Sequence, residues 1–278
     1  MIETAPSPGF YAPHHIRSGD GLMLAVHQHG NPQGRPVIFI HGYSQAALCW
    51  ARQVEDPALS HLRLISYDLR GHGGSDKPLD PAHYQEGCRW AEDVRAIMDE
   101  LGLARPVLVG WSYGGRIIGD YLRAYGAQEI GGVVFVDAIT ANERGFYGSS
   151  NRLMKQMTDL SPATAIAATR DFLRRCVHVP MDAETFETLL AANMMVPPQV
   201  RAAMARPADY DDLLADLDRP ALVVHGRQDQ VIALAMAEHI AAQVPGARLA
   251  LMDETGHAPF LERPDQFNAI LADFVART

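Results

Sequence analysis

Short, unbroken apolar runs alternate along this chain with longer stretches in which apolar residues recur at helical spacing. The runs are Val37–Ile40, Leu62–Tyr67, Val107–Val109, Val133–Val136, Ala221–Val224 and Arg248–Met252. Such runs suit strands covered on both faces. Between them, Arg89–Leu101, Gly115–Tyr125, Ala233–Val244 and Asp265–Ala276 carry the helical period. Strands that alternate with helices predict βαβ units, hence an α/β fold with a mostly parallel central sheet flanked by helices. Leu22–His29 alternates apolar with polar positions instead, which predicts an antiparallel edge strand.

One long stretch breaks the alternation. From about Ile139 to Leu217 no buried strand is evident, and Pro162, Pro180, Pro197, Pro198 and Pro207 punctuate a composition rich in Ala, Met, Leu and charge. Several short helices are expected there. The predicted organisation is a core domain of residues 1–138 and 218–278 with a helical lid, 139–217, inserted over the carboxyl ends of the strands. Open α/β sheets bind ligands at those ends.

Composition narrows the setting. Of the 278 residues, 47% are hydrophobic and 21% charged, enough to build a large core without disulfide or metal staples. A net charge of −9 argues against a general phosphate-binding surface, so no nucleic-acid partner is expected. Cys49, Cys88 and Cys176 are odd in number and widely spaced. That pattern fits neither a disulfide framework nor a zinc site, and a reducing compartment suits it. Met1–Gly9 has neither a basic start nor an apolar run, and no segment approaches the roughly 20 apolar residues of a membrane span. The expectation is a cytoplasmic protein without a membrane partner. His27 and His29 share one face of a strand as a metal pair would, but no third ligand is evident. No metal or other cofactor is expected.

The chemistry concentrates at Gly110-Trp111-Ser112-Tyr113-Gly114, followed by Gly115. This G-x-S-x-G pattern follows a predicted buried strand and opens a predicted helix. A serine on so sharp a turn brings the residues two before and two after it together, where a Cβ would collide. Its hydroxyl then stands at a helix N-terminus, where main-chain N–H groups favour developing negative charge. No G-K-[ST] or G-x-G-x-x-G follows a strand, so a phosphate loop fits poorly.

A serine hydroxyl needs a base, and the base needs an orienting carboxylate. In a strand–turn–helix setting they follow in the order serine, acid, histidine. His257, in Gly256-His257-Ala258-Pro259, falls after the last apolar run and before the final helix. Two acids end apolar runs: Asp229, favoured for its loop length, and Asp137, which could instead cap a helix or line the pocket. The two oxyanion donors expected are the main-chain N–H groups of Tyr113 and of Tyr43, in His41-Gly42-Tyr43-Ser44. His41 is expected to brace that loop rather than react. Trp111 and the Tyr43 ring are candidate substrate contacts. Met154, Met157, Met181, Met194, Met195 and Met204 could adapt the lid to an apolar group, or simply pack its helices. Arg174 and Arg175 could meet an anionic substrate, although adjacent arginines on a helix are commonly solvated.

These segments, together with Asp68-Leu-Arg-Gly-His-Gly-Gly-Ser75 and His225-Gly-Arg-Gln-Asp229, resemble the α/β-hydrolase superfamily over the whole chain. Within it the chain looks like cofactor-free haloperoxidases and arylesterases, carboxylesterases, enol-lactonases and C–C bond hydrolases. The resemblance implies that Asp68–Ser75 is a structural loop. It also implies two-step acyl transfer on a small-molecule ester or lactone. Relatives with an aspartate nucleophile are disfavoured by Ser112. The alternatives are a C–C hydrolase of ring-cleavage products and a hydrolase-fold protein that binds a ligand without turnover.

Overall fold

A computed structural model describes residues 13–278. Eight strands form one sheet: β1 His14–Arg17, β2 Met23–Gly30, β3 Pro36–Ile40, β4 Arg63–Tyr67, β5 Val107–Trp111, β6 Gly132–Val136, β7 Ala221–Gly226 and β8 Arg248–Met252. Their spatial order is β1-β2-β4-β3-β5-β6-β7-β8. From β4 to β8 every pairing is parallel, whereas β2 runs antiparallel to both β1 and β4. The antiparallel character expected of Leu22–His29 is present, but its edge position is not. The short β1, in which only Ile16 is buried, covers it and forms the true edge.

The parallel strands from β3 to β7 are buried almost throughout because helices cover both faces, whereas the edge strand β8 is only partly buried. Successive residues alternate between two cores. Ile38, Ile40, Leu108, Val133, Phe135 and Val223 point into one, and Val37, Phe39, Val107, Val109, Val134 and Val224 into the other. The helices Gly87–Glu100 and Gly114–Tyr125 pack together on the first face, and Pro264–Ala276 covers the second.

Strand order reverses around β3. The chain leaves β3 for β4 on one side and returns through β5 on the other. Beyond their first residues the chain runs from β3 and β5 toward opposite faces of the sheet, which leaves a crevice at the carboxyl ends of these strands. Between β6 and β7 lie the helices Asn151–Gln156, Pro162–Arg175, Ala183–Met194, Pro198–Ala203 and Asp211–Ala215, as the punctuated composition predicts. An antiparallel bridge between Ala141 and Asp209 joins the two ends of this insertion.

The Asp68–Ser75 segment is structural. Asp68 accepts from the N–H groups of Ala47 and Gly74, both at 2.7 Å. The fully buried Arg70 clamps both oxygens of Asp93 at 2.7 Å. A Cβ on Gly73, whose φ is 43°, would fall 2.1 Å from the Asp68 carboxyl carbon.

Candidate active site

Ser112 follows β5 directly and has φ of 54°, in the left-handed region that costs energy for any residue with a Cβ. The surrounding hydrogen bonds hold it there. Ser112 N–H donates to the Val136 carbonyl, and its own carbonyl accepts from Gly115 and Ile139. The glycines are required by contact. A Cβ on Gly110 would lie 2.6 Å from the Gly114 carbonyl oxygen, one on Gly114 2.6 Å from that of Ile40, and one on Gly115 2.7 Å from Ala138 Cβ.

His257 sits on the loop after β8 and Asp229 on the loop after β7. His257 Nδ1–H donates to Asp229 Oδ2 at 2.7 Å. Asp229 Oδ1 accepts from the N–H groups of Val231 at 2.7 Å and Ile232 at 3.1 Å, which fixes the carboxylate plane. Burial drives this carboxyl upward, yet the charge and hydrogen bond of His257, the charge of His225 and the Val231 N–H outweigh it, leaving Asp229 below its ordinary range. Its side chain is only 1% exposed, so it is ionised without solvent.

Asp137, the other candidate acid, is fully buried and does not line the cavity, contrary to its expected place at the pocket wall. It follows β6 with φ of 42° and accepts from Gly226 N–H at 2.9 Å through Oδ1, while Oδ2 has no partner. Burial, then the neighbouring Asp229 charge, pushes it well above the usual carboxylate range. Ligand atoms of Asp137, Asp229 and His257 lie within 4.8 Å of one another. Asp137 Oδ1, both Asp229 oxygens and His257 Nδ1 are already engaged in the hydrogen bonds just described. His27 and His29 are not part of that grouping. His225, not singled out from sequence, is buried beside both carboxyls, 3.4 Å from Asp137 Oδ1 and 3.8 Å from Asp229 Oδ2.

His41 braces the loop after β3. Leu69 N–H donates to its Nε2 at 3.0 Å, so Nδ1 carries the proton and donates to the Gly42 carbonyl at 2.8 Å. His72 repeats the device, accepting from Ser44 N–H and donating to the Arg70 carbonyl. The loop thus turns sharply, with Ser44 at φ of 60°. A Cβ on Gly42 would come within 3.1 Å of Ser112 Cβ, which shows how closely the two loops approach. No main-chain hydrogen bond among the described residues takes up the N–H of Tyr43 or of Tyr113.

A cavity of about 600 Å³ opens on these groups and is lined by Gly42, Tyr43, Trp111, Ser112, Tyr113 and His257. Its other walls are largely apolar, among them Ile139, Met154, Phe172, Met204, Val231 and Ile232. Of the six methionines considered, Met154 and Met204 reach it. Met195 is 55% exposed. Arg174 pairs with Asp171 and stacks on Phe186, and neither it nor Arg175 lines the cavity. The basic residues that do are Arg116, Lys155, Arg201 and Arg206, none of which sequence reasoning singled out.

A buried parallel sheet with a left-handed serine after its central strand, and a histidine–aspartate pair from the last two strand ends, is the architecture of an α/β hydrolase. The alpha/beta hydrolase fold family model matches residues 35–264, and the chain belongs to that family. A putative aryl esterase from Burkholderia cenocepacia is 38% identical, with a TM-score of 0.90 over 95% of this chain and 98% of that one. The esterase RhEst1 from Rhodococcus sp. ECU1013 is 32% identical, with a TM-score of 0.88 over 96% and 99%. A 2-hydroxymuconate semialdehyde hydrolase of Pseudomonas putida is 27% identical, over 92% of each chain.

Proposed function

We propose that this protein is a serine esterase that cleaves a small or medium, mainly apolar carboxylic ester or lactone through an acyl-enzyme. The observation that carries the reading is the convergence of Ser112 and His257 on one cavity, with His257 held by Asp229 at 2.7 Å. Because Nδ1 is committed to Asp229, Nε2 is the basic nitrogen. It takes the Ser112 proton as Oγ adds to the substrate carbonyl carbon. The oxyanion is held by the N–H groups of Tyr43 and Tyr113. Collapse expels the alkoxide, which takes the proton from Nε2. Water then adds to the acyl-enzyme, giving its proton to the same nitrogen, and Ser112 leaves with that proton as the acid is released.

In this reading residues 139–217 are a lid on a core of 1–138 and 218–278. Support comes from Tyr113, whose hydroxyl donates to the Met204 carbonyl at 3.1 Å and accepts from Arg206 at 2.9 Å, joining the insertion to the nucleophile turn. A cytoplasmic setting is supported by three unpaired cysteines. No helix among the described residues is long and apolar enough to cross a membrane.

The esterase-named relatives at 38% and 32% identity favour the ester reading. C–C bond hydrolysis is the second reading, favoured by the Pseudomonas relative. A panel of p-nitrophenyl esters, lactones and ring-cleavage dienoates, run with wild type and Ser112→Ala, tests both. Ester turnover lost by at least about 10³-fold in Ser112→Ala is expected. Dienoate cleavage without ester turnover would favour the second reading, and full activity in Ser112→Ala would overturn both.

A further inference from the structure

Among the described residues the cavity walls contain four lysine or arginine side chains and no carboxylate, in a chain whose net charge is −9. Arg206 is accounted for, since it is clamped to Asp120. Asp120 also feels the charge of Arg116 at longer range, so one carboxylate stands against two guanidiniums. Arg116, on the helix that Ser112 precedes, is 7% exposed. Its terminal nitrogens donate to neutral groups only: the Arg206 carbonyl at 2.6 Å, Asn142 Oδ1 at 2.5 Å and the Tyr147 hydroxyl at 3.1 Å. Its Nε is buried without a partner. Arg201 is 1% exposed and likewise meets only neutral acceptors, the carbonyls of Met157 and Asn193 and the Thr169 hydroxyl, again with Nε unpartnered.

Burying a guanidinium without a counter-ion is unfavourable, and two on one cavity reinforce each other's cost. Packing does not require it, since a neutral side chain could reach the same carbonyls. A substrate anion would supply the missing charge. The two differ in what they can offer. Arg201 is spread across four acceptors within the insertion, the Met157 and Asn193 carbonyls, the Thr169 hydroxyl and Met194 Sδ, so it contributes mainly field. Arg116 stands with Asn142 and Tyr147, both also on the wall; the Tyr147 hydroxyl already donates to Asn142 Oδ1 and one Asn142 amide hydrogen to the Arg206 carbonyl, so the guanidinium and the second Asn142 amide hydrogen are what this group offers a carboxylate.

We propose that the substrate is an ester or lactone bearing one ionised carboxylate, which Arg116 binds while Ser112 attacks the ester carbonyl. This rests on the serine-esterase reading and names its substrate class. The otherwise apolar walls suit a short hydrocarbon spacer between the two groups, and the surplus positive charge draws the anion in.

Turnover of mono-p-nitrophenyl glutarate is compared with that of the near-isosteric, neutral p-nitrophenyl hexanoate. Wild type is expected to favour the glutarate in kcat/KM by about tenfold or more, and Arg116→Gln to reduce that ratio by about tenfold, chiefly through KM. Misfolding would lower both rates together and leave the ratio unmoved. A wild-type preference for hexanoate, or an unchanged ratio in a folded Arg116→Gln, overturns the proposal. Glutarate binding by calorimetry to Ser112→Ala provides the reading that needs no turnover. It is expected to weaken about tenfold in Ser112→Ala/Arg116→Gln, and absence of binding to Ser112→Ala also overturns the proposal. If no ester is cleaved yet glutarate binds through Arg116, the esterase reading fails while the anion site stands.

Discussion

The indole Nε1–H of Trp111 donates to the main-chain carbonyl of His257 at 2.7 Å. The residue before Ser112, the proposed nucleophile, thus holds the loop that carries His257, the proposed base. Ring contacts add to the tie, with Trp111 stacked against His257 at 5.5 Å and edge-on to Phe260 at 4.9 Å between centroids. Trp111→Phe keeps most of the ring packing and removes the hydrogen bond. It is expected to lower kcat about tenfold with a smaller change in KM, and to reduce stability by ~1 kcal/mol. Steady-state kinetics and urea unfolding of the one variant check both, and a kcat equal to wild type would show that the tie is dispensable.

Two carboxyls at neighbouring strand ends are driven in opposite directions, which separates their variants. Asp229 is ionised and orients His257, so Asp229→Asn is expected to lower kcat by about 10²- to 10⁴-fold. Asp137 is held above the usual carboxylate range, and Asn reproduces its acceptor to Gly226 N–H, so Asp137→Asn is expected to stay within about tenfold of wild type. Asp137→Ala leaves that buried N–H unpaired and is expected to lose ~1–3 kcal/mol of stability. Equal kinetic damage from Asp137→Asn and Asp229→Asn would mean that the charge is shared between them.

Much of this arrangement was legible in the sequence, for identifiable reasons. Apolar runs marked the parallel strands because burial on both faces removes most polar positions, although Ser66 interrupts β4 and the partly buried β8 opens on Arg248. The G-x-S-x-G turn was readable because each glycine answers a contact within the fold. The strand β1 was not readable: His14-His-Ile-Arg17 buries one residue, and its strand character comes from pairing with β2. Choosing between Asp137 and Asp229 from their strand-end positions was equally indirect. In the structure the N–H groups of Val231 and Ile232 and the His257 ring meet Asp229. Arg116 was hidden because its neighbours Asn142, Tyr147 and Arg206 lie far along the chain.

The closeness of the loops after β3 and β5 makes Gly42 a sensitive position. A methyl group there meets Ser112 Cβ and the Trp111 ring at 3.1 Å, so one loop must shift by a few tenths of an ångström. Any shift moves the adjacent Tyr43 N–H from the place proposed for the oxyanion. Gly42→Ala is expected to lower kcat about 10- to 100-fold, short of the loss from removing a donor outright. KM and the unfolding midpoint should change little. Wild-type kcat in this variant would exclude the Tyr43 N–H as a donor.

Acid should weaken the fold through two histidines outside the chemistry. In His41 and His72 the Nε2 atom accepts a main-chain N–H and Nδ1 donates to a carbonyl, so both rings are neutral and have no site for a second proton. Burial pulls them down to about 4 and about 3 from an ordinary 6.5. An unfolded chain binds protons at 6.5, so below that pH it holds more protons than the fold, and stability falls as pH falls. Each ring adds at most ~1.4 kcal/mol per pH unit until its folded pKa is reached. Asp229, held low, adds a later loss as pH falls below 3.8. Asp137, held high, acts oppositely, its contribution declining as pH rises above 3.8, where the unfolded chain ionises and the fold does not. Urea midpoints measured from pH 6.5 to pH 4.5 should therefore carry a decline from the two histidines, set against the opposing contributions of Asp137, Asp93, Asp120 and Glu262, all held high. The double variant His41→Gln/His72→Gln, which keeps an acceptor at each site without a titrating group, should flatten that decline. An equally steep decline in the double variant would move the origin of acid sensitivity elsewhere in the molecule.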